Sequence, residues 1–93
     1  MLIGCPKEIK NQEYRVGMTP MAAKEAVNAG HNVLIEQNAG IGAGFPDEDY
    51  LSAGARITDT AAEILATADM VVKVKEPQAG ERKMLREGQL LFT

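Results

Sequence analysis

The chain has 93 residues, 45% of them hydrophobic and 25% charged, with a net charge of −3. That composition supports one small folded domain and excludes a disordered chain. The acidic balance lacks the basic excess that nucleic acid or an acidic membrane surface would demand, and a single cysteine, Cys5, excludes an internal disulfide.

Leu2 to Cys5 is a short apolar run closed by Pro6, the pattern of a buried strand. A polar stretch follows, KEIKNQEYRVGM, with no period. Thr19-Pro20 reads as an N-cap and first helical residue. Ala23, Ala26, Val27 and Gly30 then recur on one helical face, with Gly30 placed to stop the helix. Val33-Leu34-Ile35 predicts a second strand over Asn32–Glu36. Asn38 to Pro46 is a glycine-rich loop. Asp47 is placed to cap a short helix whose first turn holds Glu48 and Asp49, where the helix dipole favours acids. Gly54 ends it, and Ala55-Arg56-Ile57 is a brief strand. Thr60 and Glu63 have the spacing of a capping box, before a face of Ala61, Ile64, Leu65 and Ala68. Met70 to Val74 is the next strand. A polar helix is expected from about Gly80 to Arg86, and Gly88 leads into the apolar run Leu90-Leu91-Phe92.

Strand–helix alternation predicts an α/β fold: a three-layer, mostly parallel sheet with flanking helices, Rossmann-like or flavodoxin-like. Strand residues with nothing after Thr93 suggest a domain truncated at its last strand, so residues 1–93 are expected to be part of a larger unit.

In open α/β sheets, ligands sit outside the carboxyl ends of the strands. Two such ends carry cations here: the loop with Lys7, Glu8, Glu13 and Arg15, and the strand end at Lys75. Lys73 and Lys75 share a face, because strand side chains alternate. An arginine and a lysine in one crevice suit a small keto acid, the arginine gripping a carboxylate through its planar fork and the lysine acting as a point charge. The bland alternative is a lysine snorkelling to solvent and an arginine in a surface ion pair.

The loop NAGIGAGF is a poor dinucleotide fingerprint. Phe45 stands where G-x-G-x-x-G needs its third glycine, and Pro46 follows. A tight turn close to a neighbouring element fits better. One histidine, His31, and one cysteine make a metal site improbable. Cys5 reads as a core residue, and Met18 and Met21 as packing. The N-terminus lacks a signal-peptide layout, and no apolar run approaches the roughly 20 residues of a membrane span. The expectation is a cytoplasmic protein without membrane or nucleic-acid partners.

The runs GCPKEIKNQEYRVGMTP, NAGIGAGFPDEDYLSAGA, ADMVVKVKEP and LREGQLLFT, with the AGH turn, resemble the N-terminal part of the NAD-dependent alanine dehydrogenase family. The resemblance covers essentially the whole chain. It implies reversible oxidative deamination of L-alanine to pyruvate and ammonium by a homo-oligomer, typically a hexamer. The position matching Arg15 binds the substrate carboxylate and the position matching Lys75 contacts substrate oxygens. The family's catalytic histidine, later aspartate and NAD-binding domain fall outside this chain. No catalytic or cofactor-binding residue is therefore expected within it, and the chain alone is expected to be inactive. Two alternatives remain. One is the first domain of the proton-translocating nicotinamide nucleotide transhydrogenase, which shares the PKE…RV…TP opening. The other is a stand-alone anion-binding α/β module.

Overall fold

The computed structural model describes every residue, Met1–Thr93. Five strands, β1 (Leu2–Cys5), β2 (Asn32–Glu36), β3 (Arg56–Thr58), β4 (Met70–Val72) and β5 (Leu90–Phe92), alternate with four helices, α1 (Pro20–Asn28), α2 (Asp47–Ser52), α3 (Ala61–Thr67) and α4 (Ala79–Arg82). A 3-10 turn, Ile41–Ala43, lies between β2 and α2. The strands form one sheet in the order β3-β2-β1-β4-β5, and every neighbouring pair is parallel.

Alternation along the strands feeds two cores. Ile3, Cys5, Val33 and Ile35 face Ala23 of α1 and Tyr50 of α2. Leu34 and Val71 face the other way, onto Ile64 and Leu65 of α3. The result is three layers, with α1 and α2 on one face and α3 on the other. This is the arrangement that right-handed crossovers dictate when the chain first moves outward through β2 and β3 and then returns across β1 to β4.

Gly4 sets the spacing of the second layer. A Cβ there would lie 2.4 Å from the Ile64 side chain and 3.0 Å from that of Ala68, so only glycine lets α3 come this close to β1. The first layer is tied down by a hydrogen bond. The buried Tyr50 hydroxyl donates to the Met18 carbonyl at 2.7 Å. Helix α1 begins as its sequence dictates, with Thr19 Oγ1 accepting from the Ala22 N–H at 3.1 Å and Pro20 following.

Several boundaries differ from expectation. Strand β4 stops at Val72, not Val74. The polar helix is a single turn, Ala79–Arg82. Pro46, not Asp47, stands at the cap position of α2, and the Asp47 carboxylate instead accepts from the Asn38 N–H. Half of the Thr60/Glu63 box forms: Thr60 accepts from the Glu63 N–H, but the Glu63 side chain turns to the Thr58 hydroxyl. The reciprocal box is Gln78 with Glu81. Met21 is an exposed residue of α1 and does not pack. β5 is an edge strand whose side chains are exposed.

Candidate functional site

β1 and β4 are neighbours in the sheet, and the connections that leave them run in opposite directions, to β2 and to β5. A crevice opens at the carboxyl ends of strands at such a switch point. Two loops wall it: residues 6–19 after β1 and residues 73–78 after β4. They carry Arg15 and Lys75.

Glu13 brings these two cations together. Its carboxylate oxygens accept from Arg15 Nε and Nη2, each at 3.0 Å, and one accepts from the Arg15 backbone N–H at 3.0 Å. Lys75 Nζ stands 3.9 Å from the same carboxylate. The Arg15 side chain is 69% exposed and that of Lys75 39%, while Glu13 is 6% exposed. The acid sits behind and the cations face outward. The hydrogen bonds from the Arg15 side chain and backbone hold the Glu13 carboxyl down at about 2, so it is charged at any ordinary pH. Glu13 in turn raises the Arg15 guanidinium.

Behind Lys75 lies a buried cluster. Lys73, 1% exposed, donates to Glu8 at 3.2 Å and to Glu81 at 3.1 Å. Lys73 does not snorkel to solvent, because Glu8 and Glu81 enclose its ammonium. Lys73 and Lys75 therefore do not share one environment. Glu8 does more than pair with a lysine. Its carboxylate also accepts from the Val74 and Lys75 N–H groups, at 3.0 and 3.2 Å. An acid from the β1 loop thus holds the backbone from which Lys75 projects. Glu81 uses its second oxygen on the Gln78 N–H at 2.9 Å. No buried side-chain polar atom lacks a partner, as a buried ionic cluster must arrange if it is to persist.

A cavity of about 300 Å³ is lined by Lys7, Glu8, Glu13, Tyr14, Arg15 and the 38–42 loop. A second hollow, also lined by Arg15, takes in Lys10, Glu13 and Lys75. Both suit a ligand of a few heavy atoms with a charged end. The glycine-rich loop forms a wall and does not cradle phosphate. A Cβ on Gly42 would lie 3.0 Å from the Tyr14 carbonyl, and Gly44 has φ 91°. The helix that follows opens with Asp47, Glu48 and Asp49, which would repel a pyrophosphate. These residues do not fit NAD.

Sequence reasoning placed Arg15 and Lys75 at one crevice. It located Glu8 and Glu13 in the loop without giving them roles, and it missed Glu81. The available clue was Glu13-x-Arg15, a spacing that lets a loop carboxylate fold back on its own arginine. The Gln78-x-x-Glu81 spacing marks Glu81 only as half of a capping box; its tie to Lys73 comes from the end of a different element.

The family model for the alanine dehydrogenase/PNT N-terminal domain matches residues 4–93. Over all 93 residues the chain is 54% identical to an alanine dehydrogenase of Methanococcus maripaludis, 52% to one of Halomonas elongata and 47% to one of Mycobacterium tuberculosis. It spans 25% of the length of each. Among solved structures, an L-alanine dehydrogenase superposes with TM-score 0.94 at 53% identity, over 98% of this chain and 25% of that one. A transhydrogenase from Sinorhizobium meliloti superposes with TM-score 0.91 at 35% identity, over 98% of this chain and 27% of that one. The chain belongs to the alanine dehydrogenase/PNT N-terminal domain family.

Proposed function

We propose that these residues form the substrate-binding part of an NAD-dependent alanine dehydrogenase, which interconverts L-alanine with pyruvate and ammonium. The observation that carries this reading is the convergence of Arg15 and Lys75 on one carboxylate at the mouth of β1 and β4. A site that already holds a carboxylate between two cations has the charge and reach to hold another. Arg15 would take the substrate carboxylate and Lys75 the carbonyl oxygen. Fixing those atoms presents the carbonyl carbon first to ammonia, with loss of water, and the hydride then reaches that same carbon as an imine; the fixed cations stabilise the charge that develops on oxygen while ammonia adds. NAD supplies the hydride acceptor when bound, and this segment does not hold it. The catalytic acid–base group, the cofactor site and assembly into a homo-oligomer belong, in this proposal, to the rest of the enzyme. Its place is the cytoplasm.

The alternative, a transhydrogenase first domain, is supported by the Sinorhizobium structure, at 35% identity against 53% for the alanine dehydrogenase. The two are separated by kinetics on the full-length enzyme carrying this segment. Arg15→Ala and Lys75→Ala are each expected to lower kcat/KM for pyruvate about 10- to 100-fold, from the loss of a charge-assisted hydrogen bond. Lys24→Ala, on the exposed face of α1, serves as the control and should change nothing. Equal effects of all three would refute the assignment.

A further inference from the structure

Glu13 gives the crevice a property that two cations alone would lack. It occupies the Nε–Nη2 edge of the Arg15 guanidinium with both of its oxygens. Guanidinium presents a second bidentate edge, Nη1–Nη2, and this is the one left for a ligand. Glu13 also offsets one of the two positive charges, leaving Arg15, Lys75 and Glu13 with a net charge of +1.

The surrounding charges do not add to this. Lys10 is paired with Glu76 at 2.6 Å. Lys73 is enclosed by Glu8 and Glu81, a cluster with an excess of negative charge. Lys7 is a further cation on the cavity wall, but that wall also carries Glu8 and Glu13, so it has two acids for its two cations, Lys7 and Arg15. A ligand with one carboxylate neutralises the grip. A ligand with two meets Glu13, and behind it the buried acids.

Resting on the assignment of Arg15 and Lys75 as the substrate grip, we infer that Glu13 is a specificity-determining residue: it presents one edge of Arg15 and trims the grip to a single positive charge, so the crevice selects 2-oxo monocarboxylates over 2-oxo dicarboxylates. Glu13 is a positioning residue here, since it acts through Arg15 and Lys75.

The test compares two competitors of pyruvate in the full-length enzyme, 2-oxobutanoate and oxaloacetate. They have the same number of carbons and differ in a terminal methyl against a carboxylate. The readout is the ratio of their inhibition constants, which a general loss of stability does not move. Glu13→Gln is expected to shift that ratio about tenfold toward oxaloacetate, the effect of removing one nearby charge at partly screened range. Glu13→Asp keeps the charge and is expected to keep the ratio. A ratio within twofold of the parent in Glu13→Gln overturns the inference, as does an equal shift in both variants. Arg15→Ala, measured alongside, separates the two claims. If it leaves pyruvate kinetics intact, the grip itself is misassigned. If it abolishes them while the Glu13→Gln ratio stays put, only the role of Glu13 fails.

Discussion

Lys73 is a buried cation held by two acids, and its neighbour Lys75 is a half-exposed cation held at longer range by one. The two lysines are two residues apart, yet physics gives them different work. Removing Lys73 strands Glu8 and Glu81 in the interior, so Lys73→Ala is expected to destabilise the fold by roughly 3–5 kcal/mol. Lys73→Arg keeps a cation between the two acids and should cost far less. Chemical denaturation of the two variants measures the difference; similar losses would show that the charge is not what matters. Cys5 supplies a second prediction. Burial pushes its thiol up from 9.0 to about 12. The folded protein should therefore resist a thiol-alkylating reagent at pH 8, and the unfolded chain should react. Above pH 9 the unfolded thiol ionises first, so stability from this group is complete below pH 9 and falls as pH rises toward 12. Rapid labelling of the native protein would contradict this.

At the scale of elements, the order of strands and helices is legible because it rests on local chemistry. Thr19-Pro20 starts α1, Gly30 stops it, and Val33-Leu34-Ile35 can be little else than a buried strand. Boundaries are less legible because tertiary contacts set them. β4 ends at Val72 since the Glu8 carboxylate takes the Val74 and Lys75 N–H groups out of any sheet ladder. The Thr60/Glu63 spacing is a capping box on paper, but the Thr58 hydroxyl competes for Glu63. Elements are also where packing is tested. Gly4→Ala places a methyl against Ile64 and Ala68 and is expected to cost about 1–3 kcal/mol by overpacking. Thr19→Ala removes one cap and is expected to cost about 1 kcal/mol. Thermal or urea unfolding ranks them; a cap loss larger than the Gly4 loss would mean that α3 can move away from β1.

For the whole molecule, topology decides what local pattern cannot. Arg15 and Lys75 are 60 positions apart in sequence, and they meet because β1 and β4 are parallel neighbours at the point where the sheet reverses direction. Sequence predicted that crevice from the alternation of elements, and the two cations stand in it. What sequence did not predict is the acid between them and the acids beneath them, since Glu13 reaches Lys75, and Glu8 and Glu81 reach Lys73, across separate segments of the chain. The glycine-rich loop shows the same limit from the other side. Its glycines invite a nucleotide, but Gly40 and Gly42 are packed closely against Tyr50 and Tyr14, and Gly44 serves a turn at positive φ. The chain alone, mixed with NADH, pyruvate and ammonium, is accordingly expected to give no turnover, and sustained NADH oxidation would count against the placement of the cofactor site elsewhere.

The central claim is that Arg15 and Lys75 hold the substrate. Calorimetric titration of pyruvate into the NADH-loaded full-length enzyme, for the parent and for Arg15→Ala, tests it most directly. Pyruvate is expected to bind at least about tenfold more weakly to the variant, with NADH affinity unchanged. Unaltered pyruvate affinity would contradict it.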